Sequence, residues 1–294
     1  MSGLRKEVWL KQLMKKYYPE SSFLTYTKDF SSLVENDAIN MTEAGVDPNV
    51  LINNTTYPII TGIRIDSPIR IELDLFETEN TLVRNPEVIE YSYDQLENVL
   101  MGHRNILRVT TAEKAAHAFA PNENTPKTPL ILTSGSAVAD GSRLRLSMLD
   151  VLLMKERYDD MDIPLEDRYL VLHPKHVSDL IIEDLKSFKD ITDIVNGQPK
   201  RFAGFNILQF SRSAIYDLST MKKKSFGAVP GVFDTFCSFS FYKEEVMKAD
   251  GTVKMYRRDN DPEERGTIVG FDKRFIAVPI RNQAIGAILS NKPS

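Results

Sequence analysis

The hydrophobic pattern along the chain is clearest between Ser92 and Pro121, where apolar residues recur at steps of three and four. This period predicts one long amphipathic helix with a single apolar stripe. Ser92 is a good N-cap and Gln95 completes a capping-box pattern, while Pro121 ends the helix because proline cannot donate to the helical hydrogen bonds. A helix over residues 92–120 would be roughly 40 Å long, which predicts a spine for the elements around it. The stripe consists of Leu96, Val99, Leu100, His103, Ile106, Leu107, Thr110 and Phe119.

The strongest strand pattern lies just before this helix, in residues 56–93. Apolar and charged residues alternate there with a period of two, which is typical of a strand with one buried face. We expect either a tight turn at Asp66–Pro68, the interpretation we favour, or a single edge strand that passes through Pro68. A further strand is predicted at Glu87–Tyr91. The apolar positions are Ile63, Ile65, Ile69, Ile71, Leu73 and Leu75, and the charged positions between them are Arg64, Asp66, Arg70, Glu72 and Asp74.

The ribbon formed by these residues has no helical pattern beside it that could cover its apolar face. Two-stranded ribbons are only marginally stable in water, so we expect the covering surface to belong to another molecule. Upstream, residues 3–18 predict an amphipathic helix that ends at Pro19. Residues 20–50 predict a polar, extended arm from which a core is hard to build.

The second half of the chain mixes helices and strands without a regular βαβ alternation, which predicts an α+β fold rather than a doubly wound sheet. A loop rich in Pro, Ser and Gly over Asn122–Gly141 is a candidate boundary. Two helices are predicted, at Ser142–Arg157 and at Lys175–Leu185, the latter with Pro174 at its first position. The predicted strands are Arg168–Leu172, Phe202–Phe210, Phe233–Tyr242, Thr252–Arg257, Thr267–Pro279 and Ala284–Leu289.

The composition is typical of a soluble globular protein. The chain has 294 residues, 42% hydrophobic and 27% charged, and a net charge of -4, which argues against a dedicated nucleic-acid or membrane binder. Residues 1–16 carry a local charge of +4, for which a charged helix face is a simpler interpretation than contact with a polyanion. No apolar run reaches the ~18 residues of a membrane span, and the N-terminus lacks a signal-peptide pattern, so we expect a cytoplasmic protein. The single Cys237 excludes an intrachain disulfide.

The known catalytic and metal-binding motifs are absent from the sequence, so we predict no catalytic residue, no cofactor and no metal site. His173 and His176 come nearest, but a metal site needs three or four converging ligands, and a helix-capping histidine is the better interpretation. The carboxylate-rich segments 159–162 and 259–261 lack the glycine and terminal glutamate of a calcium loop and are interpreted as solvated turns. Lys222–Lys224 could contact phosphates, yet a charged loop tip is favoured.

Five stretches carry a resemblance that motifs alone do not. They are LRKEVWLKQLMKKYYPESSFL near the start, IEYSYDQLENVLMGHRN at the long helix, RYLVLHPKHVSDLI after it, and SFSFYKEEV and IVGFDKRFIAVPIRNQAIGAI near the end. In this order they resemble the major capsid proteins of tailed double-stranded DNA bacteriophages, which have the Hong Kong 97 fold. The resemblance covers most of the chain through family-like phrases rather than through one diagnostic motif.

The resemblance implies an α+β, Hong Kong 97-like capsid fold with five parts. Residues 1–47 would be an N-terminal arm, 48–91 an extended β-loop that lies over a neighbouring subunit, and 92–159 a peripheral domain with its spine helix at 92–120. Residues 160–250 would be an axial domain whose loops meet at the five- and six-fold centres. Residues 251–294 would be closing strands that return to the peripheral domain.

The resemblance also implies a structural function and no enzymatic activity. Subunits would self-assemble through pentamers and hexamers into an icosahedral shell around phage double-stranded DNA. Expected partners are other copies of the chain, a portal, packaged DNA held by weak non-specific contacts and, because the arm is short, a scaffolding protein encoded separately. No membrane partner is expected. The protein would assemble in the host bacterial cytoplasm and reside in the virion.

Intersubunit contacts are expected on the ribbon and the N-terminal helix. The predicted contact residues are Trp9, Ile63, Arg64, Ile65, Ile69, Arg70, Ile71, Glu72, Leu73, Asp74 and Leu75. Three alternatives stay open: an encapsulin-like nanocompartment shell, a tail or connector subunit, and an enzyme with a site near His173 and His176.

Overall fold

The computed structural model describes residues 22–43, 67–84, 94–187, 192–193, 198–199 and 201–293. Its α-helices are α1, Asp94–Phe119, α2, Met148–Asp159, and α3, Pro174–Ser187. Short 3-10 helices span Phe23–Tyr26, Ser31–Leu33 and Lys243–Glu245. The helix predicted at residues 3–18 and the strand predicted at Glu87–Tyr91 lie outside the described residues.

Seventeen strands are described. In chain order they are β1, Lys28–Asp29; β2, Val34–Glu35; β3, Ala38–Glu43; β4, Ser67–Glu72; β5, Asp74–Glu77; β6, Thr81–Arg84; β7, Leu130–Leu132; β8, Arg168–Leu172; β9, Thr192–Asp193; β10, Gln198–Pro199; β11, Asn206–Gln209; β12, Ile215–Asp217; β13, Lys222–Lys223; β14, Asp234–Tyr242; β15, Val246–Asp261; β16, Gly266–Pro279; and β17, Ile285–Leu289. The strands predicted at β8, β14, β16 and β17 are confirmed to within one residue at each end. Of the stretch predicted at Phe202–Phe210, only β11 and a bridge from Phe202 to Phe205 are extended.

A seven-stranded sheet forms the centre of the fold, with β14 inside it. One edge of β14 pairs with β8, which in turn pairs with β11; the other edge pairs first with β12 and then with β17. The strand β7 lies parallel to β17 at the end of this sheet. One face of the sheet is covered by the second half of α1, and the other face by α2 and α3.

A second, five-stranded sheet is organised around the antiparallel pair of β15 and β16, with β1, β5 and β6 at its sides. The pairing of β15 with β16 shifts register between Asp250 and Val253, where a bulge interrupts the ladder. The Lys273 side chain is fully buried beside this bulge and forms an ion pair of 2.5 Å with Asp250. The first half of α1 crosses this sheet, and Leu100 and Leu107 pack there against Phe271 and its neighbours.

The apolar stripe predicted for α1 is only partly right. Leu100, His103, Leu107 and Phe119 are buried, whereas Ile106 is 63% exposed. The second half of the helix buries small side chains at Thr111, Ala112, Ala115 and Ala116 instead. These small residues lie in the core cluster that contains Phe241 of β14 and Phe275 of β16, and a pattern that scores only large apolar residues does not detect them.

The polar arm is the first prediction that the structure corrects. Phe23 and Leu24 are buried in the main core, and the Phe23 ring makes edge contacts with Phe119 at 6.0 Å and Phe239 at 5.3 Å. The start of the arm therefore does contribute to a core, because a short apolar patch is enough when it inserts between a helix and a sheet.

The ribbon is the second correction. Ser67 and Pro68 belong to β4, so the favoured turn through these two residues is wrong, and the part of the predicted ribbon before Ser67 lies outside the described residues. Among the described strands, β4 pairs with β3 alone, and such an edge position tolerates proline. Glu43 and Ser67 face each other at the ends of this ladder.

Helix α2 begins at Met148, six residues later than predicted. Ser147 is its N-cap, and the Asp150 carboxylate accepts the Ser147 backbone N–H at 2.9 Å to complete a capping box. The preceding residues are fixed in a loop, because Asp179 accepts both the Leu146 N–H at 3.1 Å and the Arg143 guanidinium. These contacts come from α3 and override the helical pattern of the sequence.

The predicted partition into domains, with α2 in the peripheral domain and β8 in the axial domain, stays a prediction. Val151 and Met154 of α2 belong to the same core cluster as Leu170 and Leu172 of β8.

The C-terminal end of α1 is clasped by β13. The Lys223 ammonium donates to the carbonyls of His117 at 2.8 Å and Ala120 at 2.5 Å. A cation is favourable here because the last carbonyls of a helix are unsatisfied and carry the negative end of its dipole. Burial lowers the pKa of Lys223 to about 8. Lys224 pairs with Asp234 at 2.5 Å, so a charged loop tip is the wrong interpretation for both lysines.

The clasp predicts that two adjacent lysines, Lys222 and Lys223, contribute differently to the free energy of unfolding. Replacing Lys223→Met should lower the free energy of unfolding by about 2 kcal/mol, because two charge-assisted hydrogen bonds to the helix end are lost. Replacing Lys222→Met should change it by less than about 0.5 kcal/mol, since that side chain is 68% exposed and 3.8 Å from Glu123. Urea unfolding of the unassembled protein measures both. Equal effects would contradict the clasp.

Candidate assembly surfaces

His176, one of the two residues singled out for possible chemistry, is a structural residue. Its side chain is fully buried, with Nδ1 2.6 Å from the Ser238 hydroxyl and Nε2 2.8 Å from the Ser290 hydroxyl. Both ring nitrogens are therefore occupied, and they tie α3 to the sheet. Burial and the nearby Arg143 guanidinium lower the pKa of His176 to about 3.

His173 caps the start of α3, as the sequence predicted. Its Nδ1 accepts the Lys175 backbone N–H at 3.2 Å, and its carbonyl accepts the N–H of His176 at 2.9 Å. The ring lies on Phe236 at 4.1 Å between centroids. Burial and the Lys175 charge lower the pKa of His173 to about 4. Neither histidine is placed as a metal ligand, and within the described ranges no group of three His, Cys, Asp or Glu side chains could hold a metal ion.

The carboxylate-rich segments have structural partners. Asp159 binds the buried Arg168 guanidinium at 2.8 Å. Asp261 is buried and accepts the backbone N–H groups of Glu263 at 2.9 Å and Glu264 at 3.1 Å. Asp261 thus closes the turn between β15 and β16 and is not solvated as predicted.

The predicted contact residues of the ribbon fall into three groups. Trp9, Ile63, Arg64 and Ile65 lie outside the described residues, and the side chain of Ile69 is not described either. Arg70 and Glu72 are exposed and 3.7 Å apart, Asp74 lies 3.9 Å from Lys114, and Leu75 is 43% exposed. For these residues the intersubunit role stays a prediction.

Leu73 belongs to its own subunit. It is only 3% exposed and packs with Ile39, Met247 and Ile276, and Ile71 is half-buried against the same cluster. The ribbon is therefore not bare at this end, because the β3–β4 pair folds back over β15 of its own chain. The Leu73 side chain is thus used within its own subunit, and its intersubunit role stays a prediction.

Three surfaces still expose large apolar side chains. They lie on the outer face of α1 at Met101 and Ile106, on the outer face of α2 at Leu149, Leu152 and Leu153, and in the loop before β14 at Phe226, Val229, Val232 and Phe233. Single exposed apolar residues are normal, but groups of them mark interaction sites. The sequence pattern did not indicate these surfaces, because the predicted stripes did not separate apolar residues on the inner face of each helix from those on its outer face. Among the helices of the described part of the chain, none combines the length and hydropathy that crossing a membrane would need.

Comparison with known proteins identifies the fold. No family model matches the sequence, and no curated protein matches it. The capsid of cyanophage P-SCSP1u matches with a TM-score of 0.64 at 16% identity, over 91% of this chain and 87% of that one. The capsid of Ralstonia phage GP4 matches with a TM-score of 0.64 at 8% identity, over 92% and 88%. This chain has the fold of tailed-phage capsid proteins. The predicted α+β capsid fold is confirmed.

A related particle shares the fold. A virus-like particle from Pyrococcus furiosus matches with a TM-score of 0.55 at 12% identity, over 96% of both chains. At these identities the likeness concerns the fold alone.

The buried His176 predicts a loss of stability in acid. Its pKa is about 3 when folded, against 6.5 for an unperturbed histidine, so the unfolded chain binds more protons between these values. The contribution of buried, neutral His176 to the free energy of unfolding is complete above about pH 6.5. It is lost as the pH falls, by up to ~1.4 kcal/mol per pH unit. In urea unfolding between pH 7 and 5, His176→Gln should show a shallower slope than the unmodified chain. The same slope in both proteins would refute this assignment.

Leu73 and Leu75 should differ in how much they contribute to the free energy of unfolding. Leu73→Ala should lower the free energy of unfolding by about 2–5 kcal/mol, because it empties a buried site. Leu75→Ala should cost less than about 1 kcal/mol, since its side chain is already partly in water. Thermal or urea unfolding of unassembled protein measures both, and a small effect at Leu73 would show that the ribbon does not pack as described.

Proposed function

We propose that this protein is the shell-forming subunit of an icosahedral capsid, assembled through pentamers and hexamers, that encloses phage double-stranded DNA. The observation that carries the proposal is the capsid fold, which extends over about nine-tenths of the chain. The three exposed apolar surfaces support it, because a subunit with several such surfaces can contact several neighbours at once.

The proposed role is structural rather than catalytic. In support, His173 and His176 are used in capping and in joining α3 to the sheet, Lys223 holds a helix end, and Lys224 pairs with Asp234. The net charge of -4 supports only weak, non-specific contact with DNA, since tight phosphate binding depends on clustered Lys and Arg. A separate scaffolding protein and a portal would complete the assembly, which would form in the bacterial cytoplasm and end in the virion.

A nanocompartment that encloses enzymes is the second candidate, and the likeness to the Pyrococcus furiosus particle favours it. The two candidates differ in cargo. Particles recovered from the native source and treated with nuclease should retain double-stranded DNA of genome length if they are virions. A cargo enzyme in place of DNA would support the nanocompartment.

Assembly itself gives the decisive test. Negative-stain images and light scattering of purified protein should show shells or rings of five and six subunits. Replacing residues 44–66 by Asn-Gly should leave a folded chain, because Glu43 and Ser67 are register partners that a two-residue turn can join. This variant should fail to form shells if the extended loop reaches a neighbour. An unmodified chain that stays a monodisperse monomer at high concentration would refute the proposed function.

A further inference from the structure

The loop between β13 and β14 carries the most exposed large apolar side chains that the structure describes. Residues 225–233, with the sequence SFGAVPGVF, contain no charged residue. Val229 is 84% exposed, Val232 83% and Phe233 66%, and Pro230 between them is exposed as well. A group of exposed apolar side chains marks an interaction site. We call Val229, Pro230, Val232 and Phe233 the apolar tip.

The loop that carries the apolar tip is ordered by its own hydrogen bonds. The Asp234 carboxylate accepts the Gly231 N–H and binds the Lys224 ammonium. The Ala228 N–H donates to the Ser225 carbonyl at 3.1 Å, which closes a turn inside the loop. Because the loop is already ordered, little conformational entropy is lost when a partner binds it.

Two cations lie beside the apolar tip. The Lys292 ammonium donates to the Val232 carbonyl and lies 5.4 Å from the centre of the Phe233 ring. The Lys175 ammonium lies 5.1 Å from the ring of Phe236, three residues further along the chain. Neither lysine forms an ion pair with another residue that the structure describes. A surface with an exposed apolar side chain and unpaired carboxylates would therefore complement the tip.

The chain presents such a surface between α2 and β8, in residues 160–167, which we call the acidic turn. Its sequence, DMDIPLED, contains four carboxylates and no cation. Asp162 and Glu166 are exposed and have no ion-pair partner among the described residues. Leu165, beside Glu166, is 51% exposed. An exposed leucine next to unpaired carboxylates is the surface that the apolar tip and its lysines require.

The acidic turn is also held in place within its own subunit. The buried Arg168 guanidinium donates to the carbonyl of Pro164 at 2.9 Å and to that of Ile163. The Arg201 guanidinium donates to the Leu165 carbonyl at 3.4 Å and not to a carboxylate of the turn. Both surfaces are therefore formed before subunits meet.

The apolar tip and the acidic turn lie at opposite ends of β14. Phe233 directly precedes the first residue of this strand, whereas Tyr242 at its other end is the register partner of Arg168, which directly follows the acidic turn. Just after β14, the Lys243 N–H donates to the Asp167 carbonyl at 3.1 Å. The nine residues of β14 span about 27 Å at 3.4 Å per residue, so the two surfaces cannot meet within one subunit.

Two complementary patches at opposite ends of a subunit make a head-to-tail contact, and repetition of such a contact gives a ring when the rotation closes. We propose that the apolar tip of one copy packs on the acidic turn of the next, with Val232 and Phe233 against Leu165 and with Lys292 facing Glu166. Apolar burial supplies the affinity and the charges set the orientation. This contact rests on the proposed function and names the surfaces that would join neighbouring subunits within one ring.

Charge reversal tests the pairing. Lys292→Glu and Glu166→Lys should each raise the protein concentration needed for half-assembly by about tenfold, because each places like charges in contact. The variant with both changes should regain most of the loss. Lys254→Glu, the same change of charge at an exposed lysine of β15, is the control and should leave assembly unchanged.

Substitution of the apolar residues tests the burial. Leu165→Ser should weaken assembly by about tenfold, because its side chain would pack under the tip. Leu33→Ser is the matched control, since both leucines are 51% exposed in the subunit. Equal effects of the two substitutions would contradict the contact.

Crosslinking gives an independent readout. Cys237, the one native thiol, is fully buried and burial raises its pKa to about 12, so it will not compete. The variant with Val232→Cys and Leu165→Cys should form disulfides between subunits on mild oxidation, because the Cβ atoms must approach to about 4 Å. The expected product is a covalent ladder that ends at the number of subunits in the ring. Neither single-cysteine variant should give a ladder.

The possible outcomes separate the two proposals. Normal shells without a ladder from the double-cysteine variant, or crosslinking by Val232→Cys alone, would overturn this contact and leave the proposed function standing. If the unmodified chain forms no assembly at any concentration, the proposed function fails and this contact fails with it. If circular dichroism shows that a charge variant is misfolded, the disulfide ladder decides.

Discussion

One helix has to serve two sheets, and most of the structure follows from that constraint. The first half of α1 packs large apolar residues on β15 and β16, while its second half presents threonine and alanine to β14. The buried face of this 26-residue helix therefore changes from mostly large to mostly small side chains near its middle.

The central sheet also depends on how its buried polar groups are paired. The side chains of His176, Tyr158 and Arg168 are buried, and their polar atoms meet serine hydroxyls, backbone carbonyls or a carboxylate. Buried polar groups that are satisfied in this way fix the position of each element, because any shift would leave a group unpaired. The loop before α2 is fixed likewise by Asp179. The polar atoms of these residues are thus used inside the subunit.

Local patterns predicted the elements that local forces determine. The strand β8 and the helix α3 were located because the break at His173-Pro174 separates two clear patterns. The errors came from contacts distant in sequence. The start of α2 is set by Asp179, more than 30 residues later, and Lys223 is ordered by a helix end that precedes it by about a hundred residues. Leu73 has the alternation of a one-sided ribbon, and only the fold shows that its partners are Ile39 and Met247. The exposed leucines of α2 could not be separated from core residues, because burial depends on which face the tertiary structure covers.

The clasp at Lys223 has a mechanical consequence. Because the clasp fixes the C-terminal end of α1 to the central sheet, a rotation of that sheet would carry the helix with it. Its 26 residues give an arm of about 39 Å. A tilt of only 5° at the clasp would displace the far end by about 3 Å, which is enough to slide one side chain past another on the long sheet. Under the proposed function, a small rotation of the central sheet within a subunit would therefore be amplified at the far end of α1.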